Sequence, residues 1–216
     1  MHLVVKADDQ QREAFLSKNI PDGVTVNWIV TNTTVPEADA YFDLLFEEQG
    51  PAFAAIIDKP VFVNAVITTG DALPGNCIRI NAWNDFLERE IIEIAVADLV
   101  ADLTGGRQGS QIYEEATPIL NALGWKYQQV ADTPGMIAAR VIAMIINEAY
   151  FGLGDEISTK AEIDTAMKLG TNYPYGPFEW GKKIGLQKIY TLLKKLYETD
   201  SRYAIAPALE KEILTK

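Results

Sequence analysis

The hydrophobic pattern changes its period at Asp132, and that change limits what the chain can fold into. Before it, short runs rich in apolar and β-branched residues alternate with helical stretches. Leu3 to Val5, Val24 to Ile29, Ala40 to Phe46, Pro60 to Ile67, Cys77 to Ala82, which leads into the apolar run around Glu93, and Lys126 to Val130 read as strands. Asp9 to Lys18 and Gln111 to Ala122, the latter opening after Ser110, read as helices between them. Apolar strands separated by helices predict a partly parallel α/β sheet over 1–131. From 132 to 216 the pattern is helical alone. Pro134 suits a first helical position, and Met136 to Tyr150 is apolar nearly all round, as expected of a helix covered by other domains or subunits. Thr159 and Glu162 stand at capping-box spacing, and Gly170 is placed to end that helix. Leu186 to Leu196 repeats apolar residues at three and four, the pattern of an amphipathic helix. No internal repeat or low-complexity linker interrupts the chain.

Composition removes several kinds of chemistry. The 216 residues are 48% hydrophobic, enough for a sizeable core. Acids outnumber bases by 30 to 19, for a net charge of -11, with no basic cluster to neutralise phosphates, so nucleic acid is not an expected partner. His2, at the end of the chain, is the only histidine and Cys77 the only cysteine. No serine or cysteine triad with a histidine base, zinc-like cluster or haem signature can be built from them. Acid or base chemistry would fall to carboxylates, Tyr or Lys. The lone thiol fits a reducing compartment, and the expectation is cytoplasmic. MHLVVKADD has too short an apolar run for a signal peptide, and Met136 to Ile146, interrupted by Arg140, is too short for a membrane span.

One acid stands out. In INAWNDFLEREIIEIAV, Ile80 to Val96, Glu93 is flanked by Ile91, Ile92 and Ile94, and a carboxylate in such a run is costly to bury unless something pairs with it. Asn81 is the partner the corner offers, its amide expected to donate to the Glu93 carboxylate or to nearby backbone. An amide cannot relay a proton near neutral pH, so a structural role is favoured over a catalytic one. The turn after HLVVKA reads DDQQREAF: no glycine lets backbone approach a pyrophosphate, and Asp8 and Asp9 would repel it. The first fifty residues hold only Gly23 and Gly50. A second glycine cluster, TGGRQGS at Thr104 to Ser110, includes Arg107, yet lacks the P-loop lysine pattern and reads as an ordinary loop. Arg140 is expected in an ion pair with a local acid or against a ligand phosphate. In YPYGPFEW, Tyr173 to Trp180, the prolines and Gly176 predict a rigid turn whose aromatics pack.

DTPGMIAARVIAMIINEA, Asp132 to Ala149, followed by EIDTAMKLGTNYPYGPFEW, Glu162 to Trp180, closely resembles the carboxy-terminal domain of 3-hydroxyacyl-CoA dehydrogenases. KPVFVNAVITT resembles that family's strand ending in Asn-Thr-Ser, and INAWNDFLEREIIEIAV its His-Phe-Phe-Asn-Pro segment with the following glutamate. The resemblance implies a reduced Rossmann-like α/β domain followed by a helical domain that forms a homodimer. It also implies a catalytic set in which a histidine relays a proton, a glutamate orients it, a serine and an asparagine assist, and NAD exchanges the hydride. Aligned on these motifs, the histidine position falls on Asn81, the serine on Val66 and the helix asparagine on Ala139, while Glu93 is kept. Asn84 keeps the place of the Asn-Pro asparagine, with Asp85 replacing the proline. The expected function is that of a relative without dehydrogenase activity, with no cofactor and no metal. It would bind an acyl-CoA-like small molecule in the old cleft, near Asn64, Asn81, Asn84, Glu93 and Arg140, or serve as a partner subunit. The alternative that similarity implies is an active NAD-dependent 3-hydroxyacyl-CoA (3-hydroxybutyryl-CoA) dehydrogenase of fatty acid metabolism.

Overall fold

The computed structural model describes residues 1–30, 34–84, 86–96 and 109–215. The chain divides into a sheet unit, Met1–Met136, and a helical unit, Ile137–Lys216. In the sheet unit the elements run β1 (His2–Lys6), α1 (Asp9–Ser17), β2 (Thr25–Ile29), β3 (Ala40–Asp43), α2 (Phe46–Gln49), β4 (Val61–Asn64), β5 (Cys77–Ile80), β6 (Ile91–Ala95), α3 (Gly109–Ala122) and β7 (Lys126–Gln129). The described strands form one sheet in the order β2-β1-β3-β4-β5-β6-β7. All neighbours are parallel except β5 and β6. Among the described residues the corner between β5 and β6 holds no crossover helix, and a connection of that kind returns the chain antiparallel.

Strand alternation sorts side chains onto two faces. Leu3, Val5, Phe42, Phe62, Ile78, Ile80, Ile92 and Ile94 pack with Ala14 and Phe15 of α1 and with Ile112, Ala116 and Leu120 of α3. Phe15 is the keystone of this face, in edge contacts with Trp28 (5.5 Å), Phe42 (5.3 Å) and Trp125 (4.9 Å). The other face carries Val4, Tyr41, Val61, Val63 and Cys77, covered by Phe53, Ala38 and Leu73 rather than by a long helix. On that same face alternation places the polar residues Lys6, Asp43 and Arg79, all of them buried.

Two strands are shorter than their apolar runs predict. β3 stops at Asp43, whose carboxylate accepts from Ala52 N (2.7 Å) and so turns the chain into the single helical turn of α2. β4 stops at Asn64, because Ile67 N and Thr68 N donate to the Glu47 carboxylate (2.7 and 2.8 Å) instead of to a ladder.

The helical unit comprises α4 (Ala138–Gly154), α5 (Lys160–Thr171), α6 (Pro177–Ile184), α7 (Leu186–Tyr197) and α8 (Pro207–Leu214). Pro134 does not open α4, contrary to expectation: Gly135 (φ 79°) and Met136 (φ 48°) are left-handed, which delays the helix to Ala138. Asp132 to Met136 thus belong to the sheet unit. The α5 capping box is present, with Glu162 N donating to Thr159 Oγ1 (3.3 Å) and Thr159 N to Glu162 Oε2 (3.1 Å). Gly170 does not end α5; it lies inside, and Asn172 (φ 57°) supplies the left-handed cap. Along α4, Ala139, Ile142, Ala143, Ile146 and Tyr150 are buried, whereas Ile137 (51%) and Val141 (52%) are exposed. Asn147 ties α4 to the α8 approach, donating to Ala204 O (2.8 Å) and accepting from Ala206 N (2.9 Å). No helix among the described residues is long and apolar enough to cross a membrane.

Candidate functional site

In an open α/β sheet, ligands bind beyond the carboxyl ends of the strands where the winding reverses. Here the reversal lies between β1 and β3: the chain passes from β1 to β2 on one side and returns to β3 on the other. The helix that follows β1 should offer free amides to a phosphate, but its first turn is already occupied. Asp8 caps α1, accepting from Gln11 N (2.7 Å), while Asp8 N donates to Gln11 Oε1 (3.2 Å). The Gln11 side chain then crosses to β3 and donates to Leu44 O (2.7 Å). The same carbonyl accepts from Asn64 Nδ2 (3.1 Å), and Asn64 Oδ1 accepts from Ala82 N (3.0 Å). One chain of hydrogen bonds therefore stitches α1, β3, β4 and the end of β5 across the reversal. A carboxylate stands where a pyrophosphate needs amides, so these residues do not fit a dinucleotide.

Next to this stitch, Asn81 and Glu93 meet as expected. Asn81 Nδ2 donates to Glu93 Oε2 (3.1 Å), and Asn81 N donates to Glu93 O (3.1 Å). Asn81 is 2% exposed, and its Oδ1 has no partner among the described residues. Asn64 and Val66 are fully buried in the same unit. Asn84 turns away and donates to Gln10 Oε1 (3.1 Å). Ala139 and Arg140 belong to the helical unit: Ala139 is fully buried, and the Arg140 guanidinium lies 5.9 Å from the Tyr203 ring. Of the five residues expected to hold a ligand, Asn64, Asn81 and Glu93 are thus drawn together and bonded to protein atoms. Arg107, the rest of Thr104 to 108, and Asp85 lie outside the described residues.

A buried ion pair that the sequence reading did not assign is found at Arg79. Its guanidinium is 0% exposed and pairs with Asp132. Nε donates to Ala65 O (2.8 Å), and Nη2 to Val66 O (3.1 Å) and Thr133 O (3.3 Å). Asp132 also accepts from Gly70 N (2.9 Å), and Gly135 N donates to Val66 O (2.7 Å). The DTPG turn is in this way pinned to the ends of β4 and β5. Burial holds the Arg79 guanidinium below its usual range, and the bond to Asp132 opposes that shift. Burial likewise pushes the carboxyls of Asp43 and Glu47 up. The signal missed in the sequence was the single charge in the strand CIRI: an arginine inside an apolar run needs a partner as much as Glu93 does. Among the described residues no group of His, Cys, Asp or Glu is placed to hold a metal ion.

A mostly parallel sheet with its reversal at the first strand, followed by a set of helices, defines a Rossmann-like domain joined to a helical one. The helical part matches the model of the 3-hydroxyacyl-CoA dehydrogenase C-terminal domain over residues 135–215. The chain is 32% identical over 160 residues to 3-hydroxyadipyl-CoA dehydrogenase of Escherichia coli K12, covering 73% of this chain and 32% of that enzyme. It is 27% identical over 149 residues to a 3-hydroxybutyryl-CoA dehydrogenase of Clostridioides difficile, covering 68% and 50%. The crystal structure of (S)-3-hydroxybutyryl-CoA dehydrogenase from Ralstonia eutropha shares the fold, at TM-score 0.68 and 15% identity over 99% of this chain and 93% of that one. Residues 135–215 belong to the 3-hydroxyacyl-CoA dehydrogenase C-terminal domain family, and the chain spans a third to a half of the length of these two curated relatives.

Proposed function

We propose that this chain is a 3-hydroxyacyl-CoA dehydrogenase relative without dehydrogenase activity, acting through binding rather than turnover. The observation that carries the reading is the stitch of Asp8, Gln11, Leu44 and Asn64 across the β1–β3 reversal. It supports the absence of NAD, because the Asp8 cap takes the Gln11 amide and sets a carboxylate where a pyrophosphate would need donors. The residues at the catalytic positions agree. Asn81 holds Glu93 but has no proton to relay, and Val66 and Ala139 carry no polar atom in their side chains. An acyl-CoA-like molecule remains the ligand class that the family brings, and cytoplasm the compartment that one buried, unpaired thiol favours.

The competing reading is an active NAD-dependent enzyme, favoured by the relatives' names and by the retained Glu93. An assay of NADH oxidation with acetoacetyl-CoA separates the two. The wild type is expected to match the blank without protein, and Asn81→His to do the same, because the side chains of the dyad return without the cofactor turn. Turnover by the wild type would overturn the proposal.

The same reading includes a homodimer through the helical unit. The exposed Ile137 and Val141 lie beside an open hollow of about 490 Å³ bordered by Met144, Ile145 and Tyr203 together with Arg140, Glu148 and Arg202, a mixed surface with an apolar centre that a second copy of the chain would cover. Sedimentation at micromolar concentration is expected to give a dimer, and Val141→Asp a monomer; a wild-type monomer would contradict it.

A further inference from the structure

The helical unit contains a cavity of about 500 Å³ that the dehydrogenase reading does not use. Its volume falls within the range of small-molecule sites, about 300–1,000 Å³. Tyr150 of α4 and Phe178 of α6 form an aromatic corner, with ring centroids 4.9 Å apart and near edge-to-face. Leu186 adds aliphatic surface, and Gly181 and Gly185 bring bare backbone to the rim. Lys160 Nζ stands 5.3 and 5.4 Å from the two ring centres and pairs with Glu212 of α8, so this ammonium is held in place by rings on one side and a carboxylate on the other.

The charges in the wall decide what the cavity accepts. Each acid already has a partner: Glu212 has Lys160, Glu179 has Lys168 and Gly176 N (2.9 Å), and Asp164 has Phe178 N (2.8 Å). Lys182 differs, since among the described residues its ammonium has no hydrogen bond, ion pair or ring contact, and it borders the cavity from the exposed side of α6. A cationic ligand would find its natural partners, the two rings and Glu212, taken by Lys160. An anion finds one fixed and one unengaged ammonium, with apolar surface between them.

We propose that this cavity binds a small carboxylate with an aryl or short alkyl body, the apolar part against Tyr150, Phe178 and Leu186 and the carboxylate at Lys182, within the field of Lys160. The site is independent of the cofactor crevice and does not require the chain to lack dehydrogenase activity. The test is an amide NMR titration of the full chain with 4-phenylbutyrate, and with 4-phenylbutylamine as the cationic control. Saturable shifts centred on Gly181, Lys182 and Gly185 are expected, with a Kd of about 1 mM for a ligand of this size. The amine is expected to give none, and Lys182→Glu to weaken the carboxylate by about tenfold or more. Lys182 is exposed, so its replacement leaves the fold intact. Absence of saturable shifts with the carboxylate, an equal response to the amine, or unchanged affinity in Lys182→Glu would each overturn the proposal.

Discussion

Arg79→Met is expected to lower the unfolding free energy by about 3–5 kcal/mol, the range for removing one partner of a buried ion pair. The side chain is wholly buried, and its loss strands Asp132, whose side chain is only 12% exposed, as a carboxylate without its cation. It also takes the donors from Ala65 O and Thr133 O. Val66 O keeps Gly135 N, and Asp132 keeps Gly70 N, so the turn is loosened rather than released. Methionine refills most of the volume, which confines the loss to polar terms. The pair is separable by a double-mutant cycle. Adding Asp132→Asn retains an acceptor for Gly70 N and removes the unpaired charge, so the double variant should lose less than the sum of the single losses. Urea denaturation of the four proteins measures this; additive losses would show that Arg79 and Asp132 are not coupled.

Gly176→Ala should cost about 2–6 kcal/mol, although it adds a single methyl to a turn. A Cβ at Gly176 would fall inside van der Waals contact of the Asp164 side chain, meeting its Cβ, Cγ and Oδ1. Asp164 is 8% exposed and accepts from Phe178 N (2.8 Å), so moving it opens a buried bond at the start of α6. Overpacking of this kind costs about 1–3 kcal/mol, and an unsatisfied buried donor about 1–3 more. Glu179 reaching back to Gly176 N (2.9 Å) holds the turn in place, which limits escape by backbone movement. The same denaturation experiment applies, with Gly170→Ala as the control. Gly170 lies inside α5 with open space around it, and there alanine should be neutral or stabilising. Equal stabilities for the two alanine variants would refute the packing argument. The result bears on the sequence too, because it would give GPFE a mechanical reason: a glycine that lets an aspartate on α5 cap the next helix.

The strands and most helices were legible because each element states its own period locally. Thr159 and Glu162 form the capping box that their spacing implies, and Leu186 to Leu196 lies within α7. What was not legible depends on partners distant in sequence or on the backbone's hand. Arg79 and Asp132 are 53 residues apart, and nothing local at either end announces the other. The start of α4 is set by left-handed residues at 135 and 136; a proline two positions earlier misdirects the reading. Gly170 marks the end of α5 by residue type alone, whereas Asn172 adopts the left-handed conformation that ends it. The candidate site was half legible. Asn81 and Glu93 were paired from the corner that brings them together. Gln11 was passed over as one more polar helix residue, yet its buried side chain joins α1 to β3.

Calorimetric titration of the full chain with NADH tests the central claim most directly. If Asp8 and Gln11 occupy the helix amino terminus and Leu44 O is held by Gln11 and Asn64, no saturable heat should appear at millimolar NADH. Saturable binding in the micromolar range, abolished by a bulky substitution at the β1–β3 reversal, would mean that the stitch opens for the dinucleotide and that the reading of this chain as a relative without its cofactor is wrong.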